Sequence, residues 1–126
     1  MNVADSSAWL EFVNGGPNGI HFRPIIEDTF SLIVPTIVVY EVFKLTLRTK
    51  GEKEAHKLAA VMRQSPIIDI DESLALSAAK LALQNRLAMA DSLIYATALA
   101  HGAILWTQDD DFAHIPDVRY FAKARD

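Results

Sequence analysis

Met89-Ala90-Asp91-Ser92-Leu93-Ile94-Tyr95-Ala96-Thr97-Ala98-Leu99-Ala100 is an apolar stretch with one carboxylate near its start. Its length and residue types predict a helix, and on a 3.6-residue repeat Asp91 shares a face with Ile94, Tyr95 and Ala98. That face is the one a helix buries. An unpaired ionised group there is disfavoured by several kcal/mol or more, so Asp91 needs a donor, a cation or a helix end beside it. Its own helix is one candidate partner, because an Asp at an N-cap accepts from the free N–H groups of the first turn.

The chain continues outward from this helix in a regular alternation. After His101-Gly102, Ala103-Ile104-Leu105-Trp106 reads as a strand, Thr107 to Phe112 as a loop and helical turn, and Val118-Arg119-Tyr120-Phe121 as a last strand. Toward the N-terminus, Asp71 is placed to cap a long Ala- and Leu-rich helix over Glu72 to Arg86, preceded by a short strand, Ile67-Ile68-Asp69-Ile70. Glu54 to Gln64 is an amphipathic helix with Ala55, Leu58, Ala59 and Met62 inward. The stretch from Ile37 to Arg48 is rich in β-branched residues, which favour strands. Its length and its Ile37, Glu41, Val42, Leu45 face predict a helix instead. Ser31 to Val34 reads as a buried strand closed by Pro35, His21 to Asp28 as a short helix, Ala8 to Val13 as another, and Asn2-Val3-Ala4 as the first strand. Strands alternating with helices of this length require crossover connections, hence an α/β fold with a mostly parallel sheet and helices on both faces.

Composition narrows the function. At 126 residues, 51% hydrophobic and 22% charged, the chain fits one compact domain, residues 1–126. It has no cysteine, which excludes disulfides and thiolate zinc sites and suits a reducing cytoplasm. Its apolar runs are too short to cross a bilayer, so the expected location is cytoplasmic with no membrane partner. A net charge of −4 argues against a general polyanion binder. The argument weakens where acids gather in one pocket and cations reverse the local charge.

Four acids sit where such gathering is expected. Ligands of open parallel sheets bind outside the carboxyl ends of the strands. Asp5 directly follows the first strand, and Asp109, Asp110 and Asp111 lie just beyond the fourth. Asp91 opens the helix before that strand, and Glu41 interrupts the apolar face of an earlier helix. Glu41 could instead snorkel or pair with Lys44 at i+3. Spacing alone leaves open which of the three late acids belongs with the others, although Asp111 before Phe112 suits a cap for the next turn. Converging carboxylates without thiolates or spaced histidines form an oxygen-donor site, which favours Mg²⁺ or Mn²⁺ over zinc. Metal-assisted hydrolysis of a phosphodiester is the chemistry that uses such a set. Ser7 and Thr107 follow the same strands as Asp5 and Asp109 and are candidates to orient a carboxylate, whereas Ser6 is read as bonding local backbone. His21, His56, His101 and His114 are scattered, Trp9, Trp106 and the Phe residues are read as core, and the basic stretch Lys44, Arg48, Lys50, Lys53, Lys57 and Arg63 as a solvated helix face.

Val3-Ala4-Asp5-Ser6-Ser7-Ala8, Tyr40-Glu41-Val42, Ala90-Asp91-Ser92-Leu93-Ile94-Tyr95-Ala96-Thr97-Ala98 and Leu105-Trp106-Thr107-Gln108-Asp109-Asp110-Asp111-Phe112, in this order and over nearly the whole chain, resemble the PIN-domain family. The similarity is to its VapC-type ribonuclease toxins. The resemblance maps the family's acids onto Asp5, Glu41, Asp91 and Asp109, and so selects Asp109 from the late cluster. It implies a three-layer α/β/α sandwich with a sheet of about five strands and a Mg²⁺- or Mn²⁺-dependent endoribonuclease. It also implies a homodimer and an antitoxin partner whose C-terminal segment covers the pocket. A haloacid-dehalogenase-type phosphoryl-transfer domain would need a second Asp where Ser7 stands. A receiver domain would need adjacent acids near strand one and a late strand-end Lys, and both are missing. The remaining alternative is a catalytically inactive PIN-like module that binds RNA or a protein partner.

Overall fold

A computed structural model describes residues 1–124. The elements follow one another as β1 (Asn2–Ala4), α1 (Ser6–Asn14), α2 (Gly19–Glu27), a 3₁₀ turn (Thr29–Ser31), β2 (Val34–Pro35), α3 (Thr36–Lys50) and α4 (Glu52–Met62). The chain continues through β3 (Ile67–Ile68), α5 (Glu72–Asn85), α6 (Met89–Ala100), β4 (Ile104–Thr107), a second 3₁₀ turn (Asp110–Phe112) and β5 (Arg119–Tyr120).

Among the described residues all the strand pairings are parallel. β1 pairs with β4 in the register Val3↔Leu105 and Ala4↔Trp106, and β4 pairs with β5. β2 pairs with β3, and a parallel bridge Asn2↔Leu32, with the Ile33 N–H on the Asn2 carbonyl at 3.0 Å, joins the two sets. The resulting spatial order is β3-β2-β1-β4-β5. From β1 the chain steps outward twice, then crosses back to lie on the other side of β1, so the strand order reverses between β1 and β4. α1 packs against α2 and α3, α3 against α4, and α5 against α6, the grouping that right-handed crossovers in this strand order would give.

The expected alternation is present, with shorter strands than the sequence predicted. Thr29–Ser31 is a 3₁₀ turn, and β2 keeps only Val34 and Pro35 of the region around the expected Ser31 to Val34 strand. Proline is tolerated there as the strand's last residue, where it also begins α3 with φ near −64°. The third strand stops at Ile68, and the last covers only Arg119 and Tyr120. The β-branched stretch is the helix α3, because Val38, Val42 and Thr46 form a buried stripe at four-residue spacing; packing outweighs local preference. Gly51, at φ 90°, closes α3 and lets α4 start at Glu52, two residues before the expected Glu54. α1 likewise starts earlier, at Ser6, and α2 runs Gly19–Glu27, not His21 to Asp28.

One apolar cluster runs through the sheet and both helical layers, including Val3, Trp9, Phe22, Val34, Val42, Ile94, Leu105 and Phe112. Leu74, Ala78 and Ala96 form a smaller cluster where α5 meets α6. Phe30 is the exception among the expected core aromatics, standing 96% exposed on the first 3₁₀ turn.

Phe112 is fully buried and meets Tyr95 edge to face with ring centroids 6.4 Å apart. It thereby pins the turn that carries the late acids. Phe112→Ala is expected to cost about 3–5 kcal/mol of stability, read as a lower urea midpoint, with Phe112→Leu much milder.

Candidate active site

The crevice at the β1/β4 reversal is built by two strand ends. The Asp5 N–H continues the β1/β4 ladder by donating to the Trp106 carbonyl at 3.1 Å, after which the backbone turns directly into α1. Asp5 is the N-cap of that helix. Its Oδ1 accepts from the Ala8 N–H at 2.9 Å and the Ser7 hydroxyl at 2.7 Å, while its Oδ2 accepts from the Thr107 hydroxyl. The capping role and the site position therefore coincide in one residue, which is only 3% exposed.

Thr107, fully buried at the end of β4, ties the two strand ends together. Its hydroxyl oxygen accepts from the Asp109 N–H at 2.9 Å and lies 3.3 Å from the Ser7 hydroxyl, which itself accepts from the Gln108 N–H at 3.2 Å. Asp109 in turn caps the second 3₁₀ turn, with Oδ1 accepting from the Asp111 N–H at 2.9 Å. The sequence suggested Asp111 as the cap of that turn. Asp109 takes that position instead, which brings Asp111 beside it.

Asp91 approaches from the opposite wall. Its helix is capped at Ala88 without a side-chain bond, so Asp91 lies inside the first turn and does not act as its N-cap. Among the described residues its carboxylate has no hydrogen-bond partner. Carboxylate oxygens of Asp91, Asp109 and Asp111 all lie within 4.8 Å of one another. Glu41 closes another side: it is half-buried on α3, and its Oε1 accepts from the Ser6 hydroxyl at 2.6 Å. Lys44, the possible i+3 partner of Glu41, stands over the Tyr40 ring instead, 5.6 Å from its centroid.

Of the acids singled out in the sequence, Asp91 and Asp109 thus share the tightest group, with Asp111 as its third member. Asp5 stands behind Asp109, linked through Thr107, and Glu41 is held separately from α1. Ser7 and Thr107 both contact Asp5. Two partners were not legible in advance. Ser6 bonds Glu41 across 35 positions rather than local backbone, and only the i, i+2 spacing of Asp109 and Asp111 hinted at the second.

Electrostatics records the crowding. Burial raises the Asp5 carboxyl to about 6, against the pull of the Thr107, Ser7 and Ala8 hydrogen bonds, and Asp109 adds to the rise. Asp91 rises to about 7, chiefly through burial and then through the charges of Asp109, Asp5, Asp111 and Glu41. The ion pairs among the described residues, Arg23–Glu27 and Lys57–Glu54, bring no cation to this crevice. An all-oxygen donor set, an unbonded carboxylate and uncompensated negative charge fit a hard divalent cation.

A family model of the PIN domain matches residues 3–118. Ribonuclease VapC4 of Mycobacterium tuberculosis is 48% identical over 130 residues, covering 94% of this chain and 96% of that protein. Among solved structures, a toxin-antitoxin complex from Klebsiella pneumoniae aligns with TM-score 0.77 at 22% identity, over 94% of this chain and 95% of that one. The M. tuberculosis sarcin-ricin loop cleaving toxin VapC20 aligns with TM-score 0.77 at 16% identity, over 94% and 98% respectively, a likeness of fold. The chain belongs to the PIN-domain family, among its VapC-type members.

Proposed function

We propose that this chain is a metal-dependent endoribonuclease, the toxin of a toxin–antitoxin pair, acting in the cytoplasm on RNA. The observation that carries the reading is the meeting of carboxylates from β1, α3, α6 and the β4 loop at one crevice where the strand order reverses. Its relative named a ribonuclease, nearly half identical along almost the full length, supports the activity, and the toxin-antitoxin complex among its structural relatives supports a cognate antitoxin as partner. Residues 1–126 form one nuclease domain in this reading, working as a homodimer.

Asp5, Glu41, Asp91 and Asp109 are the residues proposed to hold Mg²⁺ or Mn²⁺, with Asp111 beside Asp109 as a further donor. The chemistry such a cation supplies is neutralisation of charge developing on a phosphodiester and acidification of a water molecule. The side chains contribute the arrangement. Ser7 and Thr107 fix both oxygens of Asp5, so its orientation does not depend on the substrate. Asp91, with no hydrogen-bond partner among the described residues, has both carboxylate oxygens free to face a cation beside Asp109 and Asp111. Asp109, whose orientation is fixed by the Asp111 N–H, completes the wall facing it.

Purified antitoxin-free protein incubated with total RNA and Mn²⁺ or Mg²⁺ is expected to give discrete fragments. EDTA should abolish them, and Asp91→Asn should slow their formation by about 100-fold or more, the scale of a disrupted metal site. Cleavage that persists in EDTA, or an Asp91→Asn protein as fast as wild type, would sink the proposal.

The metal-free protein carries a pH signature as well. Asp5 and Asp91 bind protons more tightly folded than unfolded, so their contribution to stability is complete below about pH 4. It is lost as pH rises through about 6 for Asp5 and about 7 for Asp91. In EDTA, urea unfolding should show stability falling from pH 5 to pH 7.5. Asp91→Asn should remove a large part of that fall. A variant with the wild-type slope would contradict the assignment of the raised carboxyl to Asp91.

A further inference from the structure

Ser6 stands where a helix-opening serine ordinarily bonds its own backbone, yet its hydroxyl reaches Glu41 on a different helix. We infer that Ser6 is a positioning residue for the nuclease reaction, acting only through Glu41; the inference rests on the proposed ribonuclease reading of this site.

The argument is one of freedom and repulsion. Glu41 has three rotatable side-chain bonds and is among the charges that press on Asp91. Among the described residues, the Ser6 hydroxyl is the one donor to its carboxylate, and no ion pair holds it. Without that donor, repulsion from the neighbouring acids favours rotamers that carry Glu41 out toward water, at the same entropy cost of recapture each time a cation binds. With it, Oε1 is tied to α1, and among the described residues Oε2 has no hydrogen-bond partner, which leaves it available to a cation.

The position of Ser6 is itself fixed. It is the first residue of α1, directly after Asp5, whose carboxylate caps the same helix through Ala8. Ser7, the next residue, bonds Asp5 and accepts from Gln108 beyond β4. One helical turn, Asp5-Ser6-Ser7, therefore sets the spacing of Asp5 from Glu41 on one side and from the β4 acids on the other. Ser6 touches neither RNA nor the reacting atoms in this account.

The test compares wild type, Ser6→Ala and Ser6→Thr by the Mn²⁺ concentration giving half-maximal RNA cleavage, and by Mn²⁺ affinity from calorimetry without RNA. Losing a hydrogen bond to a charged group corresponds to roughly tenfold. Ser6→Ala should accordingly need roughly tenfold more Mn²⁺ in both assays, with an unchanged rate at saturation, and Ser6→Thr, which keeps the hydroxyl, should restore the wild-type requirement. In a Glu41→Ala background, Ser6→Ala should leave Mn²⁺ affinity unaltered. A Ser6→Ala protein with wild-type Mn²⁺ affinity, or a tenfold effect that survives in the Glu41→Ala background, would overturn the role. Wild-type protein that binds Mn²⁺ yet cleaves no RNA would instead overturn the ribonuclease reading, while the calorimetric comparison would still decide whether Ser6 acts through Glu41.

Discussion

Repulsion among carboxylates held in one half-buried crevice is the constraint on which this structure turns. A folded chain has no reason to gather Asp5, Glu41, Asp91, Asp109 and Asp111 for stability alone, because the other four charges add to the cost of ionising Asp91. The fold meets that cost with local donors where it can. Asp5 receives three hydrogen bonds, Asp109 one from the Asp111 N–H and Glu41 one from Ser6. Asp91 receives none among the described residues, and it is the acid that rises furthest. The pattern is that of a site suited to a cation, with Asp91 the acid whose charge is least compensated by the protein.

The sheet is what makes the gathering possible. Parallel pairing of β1 with β4 brings Ala4 opposite Trp106, so the residues that follow them emerge side by side. Thr107 then converts this adjacency into a covalently distant but rigid connection, receiving from Asp109 and donating to Asp5. Phe112 anchors the far end of the same loop in the core. Strain at the acids is thus borne by well-packed neighbours, the arrangement expected where an unfavourable local environment serves chemistry.

Much of this was legible in the sequence, for identifiable reasons. Asp5 and Asp109 stood out because strand ends are where parallel sheets bind ligands, and Glu41 because a carboxylate interrupts an apolar stripe. The helix over Ile37 to Arg48 was recoverable from length despite its β-branched residues, since the buried spacing was helical. What escaped reading depended on contacts far apart in the chain or on turn geometry. The Ser6–Glu41 bond spans α1 and α3 and leaves no local trace. Asp91 stayed open to a cap reading because an Asp near a helix start can bond its free N–H groups, and the sequence does not show that this one, three residues past Ala88, makes no such bond. Asp111 looked like a cap because three adjacent acids carry no record of which one folds back onto the backbone. β2 was overdrawn at its start, where Ser31 belongs to a 3₁₀ turn and the ladder begins only at Val34, and β3 at its end, where the ladder stops before Asp69.

The central claim, that these acids share a cation, is tested most directly by calorimetric titration of Mn²⁺ into the folded, RNA-free protein at pH 6.5 in two buffers of different ionisation heat. If the account is right, Mn²⁺ binds with release of protons that were held mainly by Asp91, and Asp91→Asn loses both the proton release and most of the affinity. Mn²⁺ binding of equal strength to wild type and Asp91→Asn, with no protons released in either, would contradict it.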